Sequence, residues 1–405
     1  MKNCDRILTQ IVSYALQNKE PMNIDIKGVD WNELHKNAFM HQVSNLIYPI
    51  VNKICTAQPI IDRWKKGTIM NSLFLLSSIR IIEDIVLLLN NKGIAVVALK
   101  GLVFKDLYPQ PEMRMMCDID ILVKRDDIEK ASAIIRGFGY KQKEDFGSKH
   151  IVFVHENYIS IELHKSLFEH NYMKNINSFN NAIWENPIKI ELRDRVTMLT
   201  LNWEMQIIYI CIHILTHMVH GGLLLRQLCD LYLVVKQKND SIDWCLLISK
   251  SIEYGIENFV FALFTLCKRI FGMEIPLELQ TKLNFENEKK CIDRLLCELF
   301  SKEFENKHLS DILVKNINSK KYSSTFFKYV RIIFPSLEKL SVRSKYMYLK
   351  KYPVLLPFAW SHRLFFGIFR KDLDWKMKKL MLSDISLLKI AEEKDDIMHW
   401  FGIRK

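Results

Sequence analysis

Between Cys117 and Val123 the chain reads Cys-Asp-Ile-Asp-Ile-Leu-Val, an apolar run carrying two carboxylates one residue apart. Few patterns restrict a fold more. An extended strand turns successive side chains to opposite faces, so Asp118 and Asp120 share one face while Ile119 and Ile121 share the other. The isoleucines require a core. The aspartates require a cation or a hydrogen-bonded setting, because an unpaired charge in a low-dielectric interior costs on the order of several kcal/mol. Hard divalent cations, Mg2+ above all, are held by one or two such carboxylates together with substrate phosphates.

The neighbouring residues fit that chemistry. "IAVVAL" at 94–99 is a short β-branched run that predicts a buried strand. It ends at Lys100-Gly101 and passes into helix-like "GLVFKDLY". A glycine at a strand-to-helix turn lets the backbone approach a phosphate, and the helix N-terminus offers amide donors. Arg114, four residues before Asp118, carries a planar fork suited to phosphate oxygens. In "YISIELHKSL" at 158–167, Glu162 alternates with Ile159, Ile161 and Leu163, which predicts a third acid on an adjacent strand. His164 shares its face and can touch a substrate or orient the carboxylate. Three acids so placed could hold a pair of metal ions, lowering the pKa of an attacking hydroxyl and stabilising charge at a transferred phosphorus.

Around this unit the apolar residues return every three or four positions. The periodicity predicts helices over 5–18, 31–48 and 60–90, the last closing at Asn-Lys-Gly. "RDDIEKASAIIRGFGY" predicts another helix, with Asp126 and Asp127 as first-turn charges. Strands at 150–156 and 158–167 are expected to form a tight hairpin, and from about 200 onward the long segments read as helix. The expected class is α+β. A small mixed-sheet core at 91–190 is flanked by helices at 1–90 and a large helical domain at 191–405. Within the latter, His213, His217 and His220 form a stripe on one helix. It lacks the glutamate of a His-Glu-x-x-His zinc motif, and a polar seam facing the active site or Asp230 is expected instead. Arg226 and Asp230, four residues apart, suit an internal ion pair. His164, His213, His217 and Asp230 are therefore the candidates for contacting or supporting an acceptor, which is expected between the metal face and the histidine-bearing helices.

Composition narrows the classes. The net charge of +12 is diffuse, its basic excess largest in "KKYSSTFFKYVRIIF" and "KLSVRSKYMYLKKYP", a face for a polyanion or a nucleotide, or simply a solvated surface. The nine cysteines are scattered with no metal or disulfide spacing, as suits reduced buried thiols. No segment offers ~20 clean apolar residues, so no membrane span and a cytoplasmic location are expected. There is neither a Walker phosphate-binding loop nor a His-Arg-Asp motif, which speaks against a kinase-like phosphotransferase.

Taken together, "LKG…YP…R…DIDILV", "IELH" and "HILTH…LCDLYLV" resemble the uncharacterised nucleotidyltransferase family of the DNA polymerase β-like superfamily. The resemblance covers roughly 30–240. It implies transfer of a nucleoside monophosphate from an NTP such as ATP, with two Mg2+ ions on Asp118, Asp120 and Glu162 and release of pyrophosphate. Lys100, Gly101 and Arg114 would then grip the triphosphate. The acceptor implied is a small molecule, a modified peptide, a protein or an RNA end. Two departures stand out. Lys100-Gly101 replaces the usual Gly-Ser, and the 16 residues between Gly101 and Asp118 exceed the usual spacing. A nucleotide- or nucleic-acid-binding regulator that retains the fold without catalysis is the alternative.

Overall fold

The computed structural model describes residues 3–21, 24–143, 150–168, 173–192, 196–220, 222–280, 288–300, 334–341, 344–368 and 401. The helical expectation for the rest of the C-terminal region, including most of the first basic stretch, lies outside the described residues. The fold is α+β, a mixed sheet with helices before and after it in sequence.

Four helices lead in: α1 (Asn3–Gln17), α2 (Trp31–Met40), α3 (Ser44–Ile54) and α4 (Gln58–Asn91). Asp30 caps α2 by accepting from the amides of Asn32 and Glu33, a contact worth about 1 kcal/mol. The expected single helix over 31–48 is two helices. Gln42 adopts a left-handed φ of 57° and turns the chain between them. Helix α4 runs almost as the periodicity predicts and stops at Gly93, whose φ of 72° suits the residue past a helix end.

The sheet comprises β1 (Val97–Ala98), β2 (Asp118–Leu122), β3 (Lys141–Gln142), β4 (His150–Val154), β5 (Ser160–His164), β6 (Ile188–Leu192) and β7 (Val196–Thr200). Their spatial order is β3-β4-β5-β2-β1-β7-β6. Strand β2 runs parallel to β5 and antiparallel to β1, and β1 runs parallel to β7. Between them come α5 (Gly101–Phe104), α6 (Ile128–Gly137) and α7 (Ile176–Glu185). The two expected hairpin strands do pair antiparallel, but 155–159 connect them, a longer link than predicted. The β6–β7 hairpin was not anticipated and carries the sheet to Thr200, past the expected end of the core.

Ile119, Ile121, Ile161 and Leu163 are fully buried on the core face of β2 and β5. Burying each is worth roughly 1.5–3 kcal/mol, which fixes the register and with it the opposite, acidic face. Helix α4 packs against α6 and β7, and Ser78 on α4 accepts a hydrogen bond from the Ile159 amide at 3.0 Å just before β5. Helices α8 (Trp203–His220), α9 (Leu225–Lys238), α10 (Trp244–Tyr254), α11 (Glu257–Phe271), α12 (Leu277–Gln280) and α13 (Glu288–Leu299) follow. No helix among the described residues is long and apolar enough to cross a membrane. All nine cysteines are free thiols and six are buried.

The chain forms two compact units. The first holds 1–216, 223–301 and 401–403, and the second 217–222, 302–400 and 404–405. Phe401 is 1% exposed and packs edge-on against Phe259 of the first unit, ring centroids 4.8 Å apart. In the second unit, α14 (Leu337–Ser341) and α15 (Leu356–Ile368) contribute to a small core around Leu340, Tyr346, Leu349 and Ala359.

Candidate active site

Parallel pairing of β2 with β5 sets Asp120 beside Glu162 and Asp118 beside Ser160. Because the strands are in register, Asp118, Asp120, Glu162 and His164 project from one sheet face. Asp120 is 2% exposed, Asp118 and Glu162 are half-buried, and His164 is buried. The acidic face expected from the sequence is therefore assembled by backbone pairing.

Charge on this face is unevenly shared. The Asp120 carboxylate accepts from Lys100 Nζ at 3.0 Å and lies 2.8 Å from His164 Nε2. Burial opposes its ionisation, but Lys100, His164 and the field of His213 outweigh it and hold its pKa well below the usual carboxylate range. Lys100 is the reciprocal case, its pKa raised because Asp120 and its neighbours overcome the penalty of burial. Asp118 fares differently. Burial, then repulsion from Asp120, raises its pKa, with a further push from Glu162. A carboxylate so placed, beside two others and answered mainly by one lysine, is suited to a divalent cation. The donor set of Asp118, Asp120 and Glu162 fits Mg2+, which takes hard oxygen ligands.

The Lys100-Gly101 turn lies where β1 ends and α5 begins. Lys100 adopts φ 41° and ψ −104°, a conformation rare for a residue with a side chain, at a cost of roughly 1–3 kcal/mol. Its carbonyl accepts from the amides of Val103 and Phe104, which start α5. Gly101 is pressed closely: a Cβ there would clash with Met116 Sδ and lie 2.9 Å from Arg114 Nη1.

Arg114 takes a different part from the one expected of it. It is 1% exposed, and its Nε and Nη2 donate to Asp230 at 2.8 and 2.7 Å. A guanidinium committed to a buried carboxylate in this two-pronged way is not presented to a phosphate. Asp230, considered for the acceptor, also accepts from Tyr108 at 2.9 Å and from Arg226 at 3.5 Å. The ion pair expected between Arg226 and Asp230 is present, within a larger buried network that supports the turn. Arg226 Nε donates to Gln42 at 2.6 Å, tying the network to the corner between α2 and α3.

His213 is half-buried on α8 and contributes to the field at Asp120. His217 lies one turn further on and groups with the second unit. Two neighbours of the site were not picked out from the sequence. Tyr209 is buried one turn before His213, with Lys100 Nζ 5.8 Å above its ring. His150 on β4 pairs across to His164, and its Nε2 lies 3.5 Å from Glu162 Oε2. Burial lowers its pKa, although Glu162 pulls the other way. Tyr209 was legible, since it continues the histidine stripe at i−4. His150 needed the hairpin register.

Residues 27–272 match the family described as uncharacterised nucleotidyltransferase, and the match spans more than half of the chain. The chain belongs to that family. The matched stretch contains every candidate residue of this nucleotidyltransferase, from Lys100 to Asp230. No curated protein matches it closely enough to name an acceptor.

Proposed function

We propose that this nucleotidyltransferase moves a nucleoside monophosphate from an NTP, ATP being the first to try, to an acceptor and releases pyrophosphate. The observation that carries this reading is the registered trio of Asp118, Asp120 and Glu162 on one sheet face beside the Lys100-Gly101 turn. These three carboxylates would hold two Mg2+ ions, which when bound supply Lewis-acid stabilisation and a more acidic acceptor hydroxyl. Half-buried Glu162 and Asp118 offer carboxylate oxygens to the ions, while buried Asp120 is oriented by His164. Lys100, anchored at a strained turn, brings its ammonium to the triphosphate, and the α5 amides beyond Gly101 add donors. His213 is proposed to face the acceptor, which would be a small molecule, a modified peptide, a protein or an RNA end. A cytoplasmic setting, where NTPs are at hand, suits such an enzyme.

A second reading, a nucleotide-binding regulator without turnover, draws on Lys100 and His164, which satisfy Asp120 from within the chain. Pyrophosphate release from each NTP with Mg2+ and candidate acceptors separates the two. Asp118→Asn is the decisive variant, because Asp120→Asn would also strand the buried charge of Lys100. Asp118→Asn should abolish release while the folded state is as stable as before or more so, since repulsion is relieved. Full turnover in that variant at saturating Mg2+ would refute a catalytic role for the trio. NTP binding with no pyrophosphate from any acceptor would favour the regulator.

A further inference from the structure

One strand beyond the acidic trio, β4 sets His150 directly across from His164, and Glu162 lies across from Val152 on the same strands. The imidazole rings approach with centroids 4.9 Å apart, tilted by 47°. One donor atom from each of His150, Glu162 and His164 lies within 4.8 Å of the others. We propose that His150, Glu162 and His164 form a binding site for a first-row transition-metal cation, Zn2+ or a close relative, beside the carboxylate site and sharing Glu162 with it.

The distances are those of co-ligands. Two donors each about 2.1 Å from a tetrahedral ion lie about 3.4 Å apart. Glu162 Oε2 is 3.5 Å from His150 Nε2 and 3.6 Å from His164 Nε2. Both separations are too long for good hydrogen bonds and close to the edge of such a tetrahedron. The donor set also selects. Imidazole suits Zn2+ and its neighbours in the first transition row, whereas Mg2+ takes oxygen. Two nitrogens and a carboxylate leave a fourth position open, as at zinc sites that carry a water or a substrate group.

His164 must change tautomer to serve as a ligand. Its Nε2 must present a lone pair, which moves the ring proton to Nδ1. Nε2 here donates to Asp120 at 2.8 Å, so the ion would replace that hydrogen bond and leave an Nδ1–H buried without a partner, a cost the bond to metal must exceed. The surrounding charge favours a cation, with Asp118 and Asp120 on the adjoining strand. The same register that builds the carboxylate site therefore builds this one, but the two sites differ in the ion they prefer. The proposal holds whether or not the chain transfers nucleotides.

Co2+ is the probe, used with the metal-stripped full-length protein and followed by its visible d–d absorption. One equivalent should bind and give the bands of a nitrogen-containing site, and Zn2+ should displace it. Loss of one ligand, in His150→Gln, should weaken Co2+ binding by at least about tenfold. His150→Ala should do the same, so that a folding defect peculiar to one replacement is not mistaken for ligand loss. Asp118→Asn should bind Co2+ with an unchanged spectrum. Wild-type Co2+ affinity in both His150 variants would overturn the site. So would loss of the bands in Asp118→Asn, or their displacement by Mg2+ as readily as by Zn2+, since either would place the ion on the aspartates.

Discussion

At the scale of single residues, Gly101 shows how little room the site leaves. A methyl group there meets Met116, which can yield, and Arg114, which cannot because Asp230 fixes it. Gly101→Ala should therefore lower the unfolding free energy by about 1–3 kcal/mol, read by denaturant titration. NTP affinity should fall with it, because the turn and the α5 amides shift together. A variant as stable as the parent would mean that the turn has slack. His41 gives a residue-scale prediction of another kind. It is 4% exposed, its Nδ1 accepts from the Leu225 amide at 3.4 Å, and burial lowers its pKa to about 4. The unfolded chain binds the proton near the ordinary 6.5, so between these values unfolding takes up protons. Stability from the neutral ring is whole above pH 6.5 and lost as pH falls towards 4, on the order of 3 kcal/mol in all. The difference in unfolding free energy between wild type and His41→Gln, measured across that window, should show the slope. A constant difference would mean that His41 binds its proton equally in the folded and unfolded chain.

At the scale of elements, the buried pair between Arg114, in the loop before β2, and Asp230, on α9, joins the site to the helical region. Removing one partner of a buried pair leaves the other uncompensated and costs about 3–5 kcal/mol. Asp230→Ala should show that loss in denaturant unfolding, and Arg114→Met in the same chain should recover part of it. If Arg114→Met alone cut NTP affinity without touching stability, the phosphate role expected from the sequence would return. What the sequence disclosed follows from periodicity. The long helix α4 and strands β2 and β5 were legible because each buries one face, and one face writes a repeat into the chain. The acidic face was legible for the same reason. The Arg114–Asp230 pair was not, since 116 residues separate its members and only the packed fold brings them together. The β6–β7 hairpin was legible in principle, since Ile188, Ile190 and Leu192 alternate with exposed Lys189 and Glu191, the period of a half-buried strand. His150 escaped because the register of a hairpin is not readable until its turn is known.

At the scale of the whole molecule, the first unit is discontinuous in sequence. Phe401 returns to it across the stretch that belongs to the second unit and fills a position against Phe259, itself fully buried. Truncating a buried aromatic costs about 3–5 kcal/mol, so Phe401→Ala should destabilise the first unit by that amount in urea unfolding. A loss under about 1 kcal/mol would mean that Phe401 only rests on the surface. The arrangement also has a consequence in time. Ribosomes add about 5–20 residues per second, so roughly 5–20 s elapse between synthesis of Ser301 and of Phe401. Throughout that interval the sheet and its carboxylates have already left the exit tunnel, while the Phe259 ring still lacks its partner. A ribosome stalled within residues 302–400 would thus display the acidic sheet face on an unfinished body, a form for chaperones to hold and proteases to find.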